Sequence, residues 1–160
     1  MQKFSKSRDF SLAELEDVIC EVLESGGEFE FCPSGKSMLP LIKEGRDLVT
    51  LVKAQSFLSD GDIALYKREC GQFVLHRVMR SENGVYAMCG DNQTVLEKGI
   101  KHSQIIGKVC RMTINGKTVD VKDKKHLRYI KRRRNLFLRR ISLFISRRNP
   151  FNKKQAKNDR

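Results

Sequence analysis

Three residues of the types that make up a nucleophilic hydrolase lie in separate short segments of the chain. Ser37 lies in the turn-rich segment Pro-Ser-Gly-Lys-Ser-Met-Leu-Pro at 33–40, His76 in the strand-forming segment 73–78, and Asp91 between a glycine and an asparagine. A serine hydroxyl needs an adjacent base to attack a carbonyl at neutral pH, and an acid can hold that base in place. The three residues therefore predict a nucleophile, a general base and an orienting acid.

The segment around Ser37 also offers donors for an oxyanion. Gly35 allows the backbone to turn tightly before the serine. The backbone amides of Ser37 and Lys36 could then face the oxygen of a tetrahedral intermediate. His76 suits the role of base because histidine readily accepts and returns a proton near neutral pH.

Five segments, in this order along the chain, resemble the conserved boxes of the signal peptidase I superfamily, whose fold is shared with the self-cleaving SOS repressors. The segment 34–41 resembles the serine box, 61–66 the following strand, 73–78 the strand of the general base, 90–92 the Gly-Asp-Asn box, and 105–109 the closing strand. The resemblance implies a mainly β fold, built as a small antiparallel barrel-like body. It also implies a serine endopeptidase that cleaves signal or leader peptides, with no metal or cofactor.

The residue at the base position assigns the chain to one branch of that superfamily. Most bacterial signal peptidases and the repressors have lysine there, whereas His76 resembles the histidine type of the endoplasmic reticulum and archaea. In that type a second acid, six residues after the acid of the box, completes the triad, and Glu97 occupies that position here. Asp91 and Glu97 both stay open as the third member. Ser34 resembles the extra serine that assists the oxyanion hole.

Charge is distributed unevenly along the 160 residues. Residues 122–160 contain 16 basic and 2 acidic side chains, a net charge of +14, whereas residues 1–121 contain 16 and 17, a net charge of −1. The pI near 9.8 is therefore a property of the tail, and it does not indicate a nucleic-acid-binding domain.

The basic segment 122–150 has the pattern of an amphipathic helix or helix pair, and we expect residues 151–160 to be a disordered terminus. Phenylalanine and leucine fill its apolar face and no base-reading motif is visible, so an anionic membrane surface is favoured over nucleic acid or a protein partner. The residues expected to contact lipid are Ile130, Arg132, Arg133, Phe137, Arg139, Arg140, Ile141 and Phe144.

The remaining pattern predicts one peptidase domain over residues 1–121. A helix is expected at 11–25, with Ser11 and Glu14 as a capping box, followed by a β body at 28–118. Asn-Gly pairs at 83–84 and 115–116 predict hairpin turns. His102 and His126, which lie outside the five boxes, are expected at the solvated surface.

The cysteine content and the hydropathy of the chain indicate in which compartment the protein acts. Five cysteines with no Cys-x-x-Cys spacing predict reduced thiols and no metal or redox site. No apolar leader or run of about 18 apolar residues is visible, so we expect a bacterial cytoplasmic protein held peripherally at the inner membrane. Two other functions stay open: a self-cleaving repressor-like regulator, and a catalytically silent membrane-surface binding module.

Overall fold

The computed structural model describes residues 12–121 and 123–134. Two α-helices, α1 (Glu16–Glu24) and α2 (Lys124–Arg134), flank eight strands in sequence. A 3-10 turn, His102–Gln104, connects the sixth strand to the seventh. The strands are β1 (Phe29–Phe31), β2 (Leu48–Val52), β3 (Ile63–Lys67), β4 (Phe73–Glu82), β5 (Val85–Cys89), β6 (Glu97–Lys101), β7 (Ile105–Ile114) and β8 (Lys117–Asp120).

All eight strands belong to one antiparallel sheet. The strand order is β1-β2-β7-β3-β4-β5-β6, with β8 also paired to β7. The predicted mainly β, antiparallel fold with an N-terminal helix is confirmed. The described strands do not close into a complete barrel, because β1 and β6 stand at the two ends of the order.

The long strand β7 organises the sheet. Its residues pair with β2 along one edge, while β3 and then β8 pair with successive parts of it. A ten-residue strand can support two short partners in this way because each partner uses only part of its hydrogen-bonding edge. The helix α2, which follows β8, is consequently placed close to the beginning of β3.

Helix α1 covers the apolar core of the sheet. Ile19 and Leu23, four residues apart, share one helical face and are buried against Leu51 and other strand residues. The helix begins at Glu16 rather than at 11, and its N-cap residue Leu15 makes no side-chain capping bond. The expected cap Ser11 lies outside the described residues.

Both predicted Asn-Gly hairpins are confirmed. Asn83 and Asn115 have φ values of 48° and 50°, and the glycine that follows each also has a positive φ. Two successive residues with positive φ give the turn whose twist matches that of paired antiparallel strands. The turns join β4 to β5 and β7 to β8.

Strand β6 has little of the sequence signature of a strand. It reads Glu-Lys-Gly-Ile-Lys, and only Ile100 is buried. Glutamate, lysine and glycine are all depleted in strands, so pairing with β5 rather than intrinsic propensity gives this segment its conformation. Its position matters because the strand begins with Glu97.

The first part of the basic tail is a helix that lies on the β body. Helix α2 falls within the predicted helical segment, of which residues 135–150 lie outside the described part, as does the predicted disordered terminus at 151–160. The prediction of a solvated His126 is wrong, because its side chain is only 4% exposed. Within the described ranges no helix has the length and apolar character needed to cross a membrane.

Candidate active site

The loop that carries Ser37 is held by the Gly90–Asn92 segment. The backbone amide of Asn92 donates to the carbonyl oxygen of Ser37 at 2.7 Å, and its side-chain amide donates to the carbonyl of Lys36 at 3.1 Å. Gly35 has a φ of 86°, which agrees with the tight turn expected before the serine. Two hydrogen bonds to consecutive carbonyls thus fix the backbone on which the candidate nucleophile lies.

Gly90 allows this close approach. A Cβ atom at position 90 would lie 2.6 Å from the carbonyl oxygen of Ser37 and 3.0 Å from its Cβ. Side chains do not tolerate such a distance to a backbone atom, so any larger residue would push the two segments apart. The glycine is therefore required by space, although its φ is not in the left-handed region.

Ser37 and His76 line the same cleft, which has a volume of about 330 Å³. The serine loop contributes Ser34, Ser37 and the buried Met38, and strand β4 contributes residues 73–76. Ser37 is half-buried and His76 is buried. The sequence-predicted nucleophile and base therefore face one concave site whose walls are part apolar and part polar.

A chain of hydrogen bonds connects His76 to Glu97 through a tyrosine. The hydroxyl of Tyr66 lies 3.2 Å from Nδ1 of His76 and donates to Oε2 of Glu97 at 2.7 Å. Tyr66 is fully buried. Glu97 also accepts two bonds from Arg68, at 2.7 Å to Oε1 and 2.6 Å to Oε2.

The chemistry of these groups sets the direction of each hydrogen bond. Hydrogen bonds from Arg68 and Tyr66 keep the pKa of Glu97 below its usual value, so the carboxylate is ionised at neutral pH and can only accept. Burial and the bond to Glu97 raise the pKa of Tyr66, which keeps its single proton. With that proton directed to Glu97, the tyrosine oxygen accepts from Nδ1–H of His76, and the imidazole lone pair lies on Nε2.

Asp91 takes part in a different network. Its oxygens accept from Nε and Nη2 of Arg77, both at 2.8 Å, and Oδ2 also accepts from the hydroxyl of Tyr129 at 2.9 Å. The side chains of Arg77 and Asp91 are completely buried. Arg77 follows His76 directly on β4, so the two side chains leave the strand on opposite faces of the sheet.

The other predicted site residues are dispersed. Ser34 lies at the cleft with an exposed side chain, while Lys36 is exposed and its carbonyl is bonded to Asn92. Of the eight residues expected at a membrane, only Ile130 has a described side chain. It is half-buried and lines a second cavity, of about 620 Å³, between α2 and the sheet.

Sequence reasoning missed Tyr66 and Arg68 as parts of the site. Residues 66 and 76 lie on neighbouring antiparallel strands, with Ala64 opposite His76 and Tyr66 opposite Val74. Because side chains alternate between faces, Tyr66 and His76 lie diagonally on the same face of the sheet. The register of the β3–β4 pair, had it been assigned, would have identified the tyrosine.

An antiparallel β domain with a serine loop and a strand histidine at one cleft is a serine-peptidase-like domain. The chain belongs to the Peptidase S24-like family, whose family model matches residues 16–110. This confirms the predicted superfamily, which includes signal peptidases and self-cleaving repressors. A search of curated proteins finds no significant match. The described residues contain no cluster of three or more histidine, cysteine or acidic side chains suited to a metal ion.

Proposed function

We propose that this protein is a serine endopeptidase in which Ser37 is the nucleophile and His76 the general base. Glu97 is proposed as the third member, acting through Tyr66, and Asp91 as a structural partner of Arg77. The hydrogen-bond chain from Glu97 to His76 is the observation that carries this proposal, because it leaves the lone pair of the imidazole on Nε2.

The proposed reaction passes through an acyl-enzyme. The Oγ of Ser37 forms a bond to the peptide carbonyl carbon while Nε2 of His76 takes the hydroxyl proton. The C–N bond then breaks, and the imidazolium returns this proton to the departing amine. In the second half a water molecule attacks the ester and gives its proton to His76, which passes it to Ser37 as the acid product leaves.

Electrostatics support histidine in this role. Positive charge develops on His76 in both halves of the reaction, and the ionised Glu97 lies one hydroxyl group away. The tyrosine hydroxyl connects the carboxylate to the ring through two hydrogen bonds and keeps its own proton throughout. The amide of Ser37, with Lys36 and Ser34 nearby, is proposed to bind the oxyanion, and one such donor contributes about 3–4 kcal/mol.

Labelling with a fluorophosphonate probe, followed by mapping of the adduct, tests the assignment. We expect the adduct on Ser37, no labelling of Ser37→Ala, and labelling of His76→Ala slowed by at least about 100-fold. Ser103→Ala and His102→Ala are controls with side chains of the same type away from the cleft. An adduct elsewhere, or full labelling of both active-site variants, would contradict the proposal.

We further propose that the substrates are signal or leader peptides, cleaved at the cytosolic face of a membrane. The net charge of +14 in residues 122–160 supports this setting, since each basic residue near an anionic surface contributes about 1 kcal/mol. Because Ile130 lines a cavity against the body, the proposed lipid contacts lie further along, at Phe137, Ile141 and Phe144 with their neighbouring arginines.

Co-sedimentation with vesicles tests the membrane proposal separately from catalysis. We expect binding to vesicles that contain phosphatidylglycerol and not to vesicles of phosphatidylcholine alone. Arg139→Glu with Arg140→Glu should abolish binding, whereas Lys153→Glu with Lys154→Glu makes the same charge change outside the predicted helix and should reduce it less. Equal losses would indicate attraction by net charge alone. No binding to either vesicle would remove the membrane proposal.

A further inference from the structure

The buried ion pair between Arg77 and Asp91 lies behind the serine loop. Besides Asp91, the guanidinium binds the carbonyl oxygen of Gly61, to which Nη1 donates at 2.8 Å. A buried ion pair is stable only when its remaining donors and acceptors are satisfied. Any group that donates a further hydrogen bond to this pair therefore helps to fix the positions of Arg77 and Asp91 and of the backbone that carries them.

Helix α2 supplies such a group. The hydroxyl of Tyr129 donates to Oδ2 of Asp91 at 2.9 Å, and the guanidinium of Arg77 lies 5.7 Å from the centre of the tyrosine ring. His126, one helical turn earlier, stacks on Tyr129 with ring centres 6.2 Å apart and is itself buried. The inner face of the basic tail is thus joined to the ion pair by a hydrogen bond and by a cation–π contact.

Asp91 is also the middle residue of the segment that holds the nucleophile. Its neighbours on either side both lie next to Ser37: Gly90 has no space for a Cβ atom beside the serine, and Asn92 donates the 2.7 Å hydrogen bond to the serine carbonyl. A movement of the Asp91 side chain is transmitted to both neighbours because three consecutive residues share one short stretch of backbone. The path from Tyr129 to Ser37 therefore consists of two hydrogen bonds joined by the peptide bond between Asp91 and Asn92.

From these contacts we infer that Tyr129 is a positioning residue for the nucleophile, so that docking of α2 on the body controls the reactivity of Ser37. This inference rests on the proposed function for its effect on catalysis. Tyr129 touches neither the cleft nor the proposed reacting atoms. It acts on them through Asp91 and the backbone of Asn92.

Two substitutions of Tyr129 separate the contribution of its hydroxyl group from that of its ring. Tyr129→Phe removes the hydroxyl and retains the ring over Arg77, whereas Tyr129→Leu removes both contacts. Arg128→Ala is the matched control, since Arg128 is an exposed residue of the same helix. We expect amide hydrogen exchange at Asn92 to become faster by about tenfold in the phenylalanine variant, as a hydrogen bond to a charged group is lost, and faster still in the leucine variant.

The same variants should slow fluorophosphonate labelling of Ser37. We expect the maximal labelling rate to fall by about tenfold in Tyr129→Phe with the half-saturating probe concentration unchanged, because the cleft is intact and only the nucleophile is displaced. A purely structural role would lower the melting temperature without changing Asn92 exchange relative to the rest of the sheet, and that result would overturn the inference. If the wild-type protein is not labelled at Ser37, the proposed function fails, while Asn92 exchange still decides whether α2 is coupled to the loop.

Discussion

The hydroxyl of Tyr66 lies 3.2 Å from Nδ1 of His76, on the side of the ring that a triad acid would occupy. The carboxylate of Glu97 accepts the hydrogen bond of the tyrosine hydroxyl at 2.7 Å and lies one group further from the histidine. A neutral hydroxyl thus separates the candidate base from the candidate acid. The carboxylate can still fix the tautomer of the base, because the single proton of the tyrosine cannot point in both directions.

Replacing Tyr66 with phenylalanine breaks this chain at its centre. We expect Tyr66→Phe to slow labelling of Ser37 by about 10–100-fold, the kinetic equivalent of losing one hydrogen bond in a charged network. Tyr86→Phe is the control, because Tyr86 is also buried but its hydroxyl bonds to the amide of Leu58 and to His102 rather than to His76 or Glu97. Similar labelling rates for the two variants would show that the hydroxyl of Tyr66 has no special role.

Glu97 and Asp91 can be distinguished by comparing their amide variants. Glu97→Gln should slow labelling by about 10–100-fold with a small change in melting temperature, since the half-exposed carboxylate is lost from the network of His76. Asp91→Asn should also slow labelling, by about tenfold through the serine loop, but unlike Glu97→Gln it should destabilise the protein by about 3–5 kcal/mol, because it leaves the buried guanidinium of Arg77 without its counter-charge. Urea unfolding together with labelling rates measures both effects.

The control for charge removal is Glu82→Gln, in an exposed ion pair with Arg80 at 3.1 Å. Exposed pairs contribute at most about 1 kcal/mol, so neither measurement should change much. If Asp91→Asn were stable and unreactive while Glu97→Gln reacted normally, Asp91 would be the third member and the assignment to Glu97 would be wrong.

The local sequence predicted the elements that carry their own signature. Strands rich in β-branched residues, the Asn-Gly turns and the serine loop were identifiable because each depends on short-range chemistry. The contact between Tyr66 and His76 could not be predicted, because it depends on the register between β3 and β4. The position of Glu97 beside that tyrosine could not be predicted either, because Glu97 begins β6, whose Glu-Lys-Gly sequence resembles a loop. Likewise, no periodicity within the tail indicates that Tyr129 meets Asp91, a contact that pairs residues 38 positions apart.

Gly90 provides a steric test of how closely the serine loop is held. Gly90→Ala should slow labelling of Ser37 and destabilise the protein by about 1–3 kcal/mol, because the added Cβ meets the serine carbonyl at 2.6 Å. Gly107→Ala is a matched control: its Cβ would meet Leu23 Cδ1 at 2.8 Å, in the core and away from the cleft. Both variants should lose stability, and only the first should lose reactivity. Equal loss of reactivity in the two would indicate a general effect of destabilisation.

The buried carboxylate of Asp47 is expected to make the free energy of unfolding depend on pH in the acidic range. This carboxylate accepts from Nε and Nη2 of Arg46 and from the backbone amides of Lys43 and Asn115, which joins the segment after the serine loop to the β7–β8 turn. The hydrogen bond from Arg46 is the main reason that the pKa of Asp47 falls to about 2, from an ordinary value of 3.8. Since the folded state holds the proton less tightly than the unfolded state, this stabilisation is present above about pH 4.

That stabilisation is lost as the pH falls from about 4 towards 2, and it amounts to about 2 kcal/mol. Urea unfolding at pH 6 and at pH 2.5 measures it against Asp47→Asn, in which the amide does not titrate. We expect the wild-type protein to lose more stability between the two pH values than the variant does, by most of that amount, because the other carboxyl groups titrate equally in both. Equal losses would show that the carboxylate of Asp47 is not held by these donors in solution.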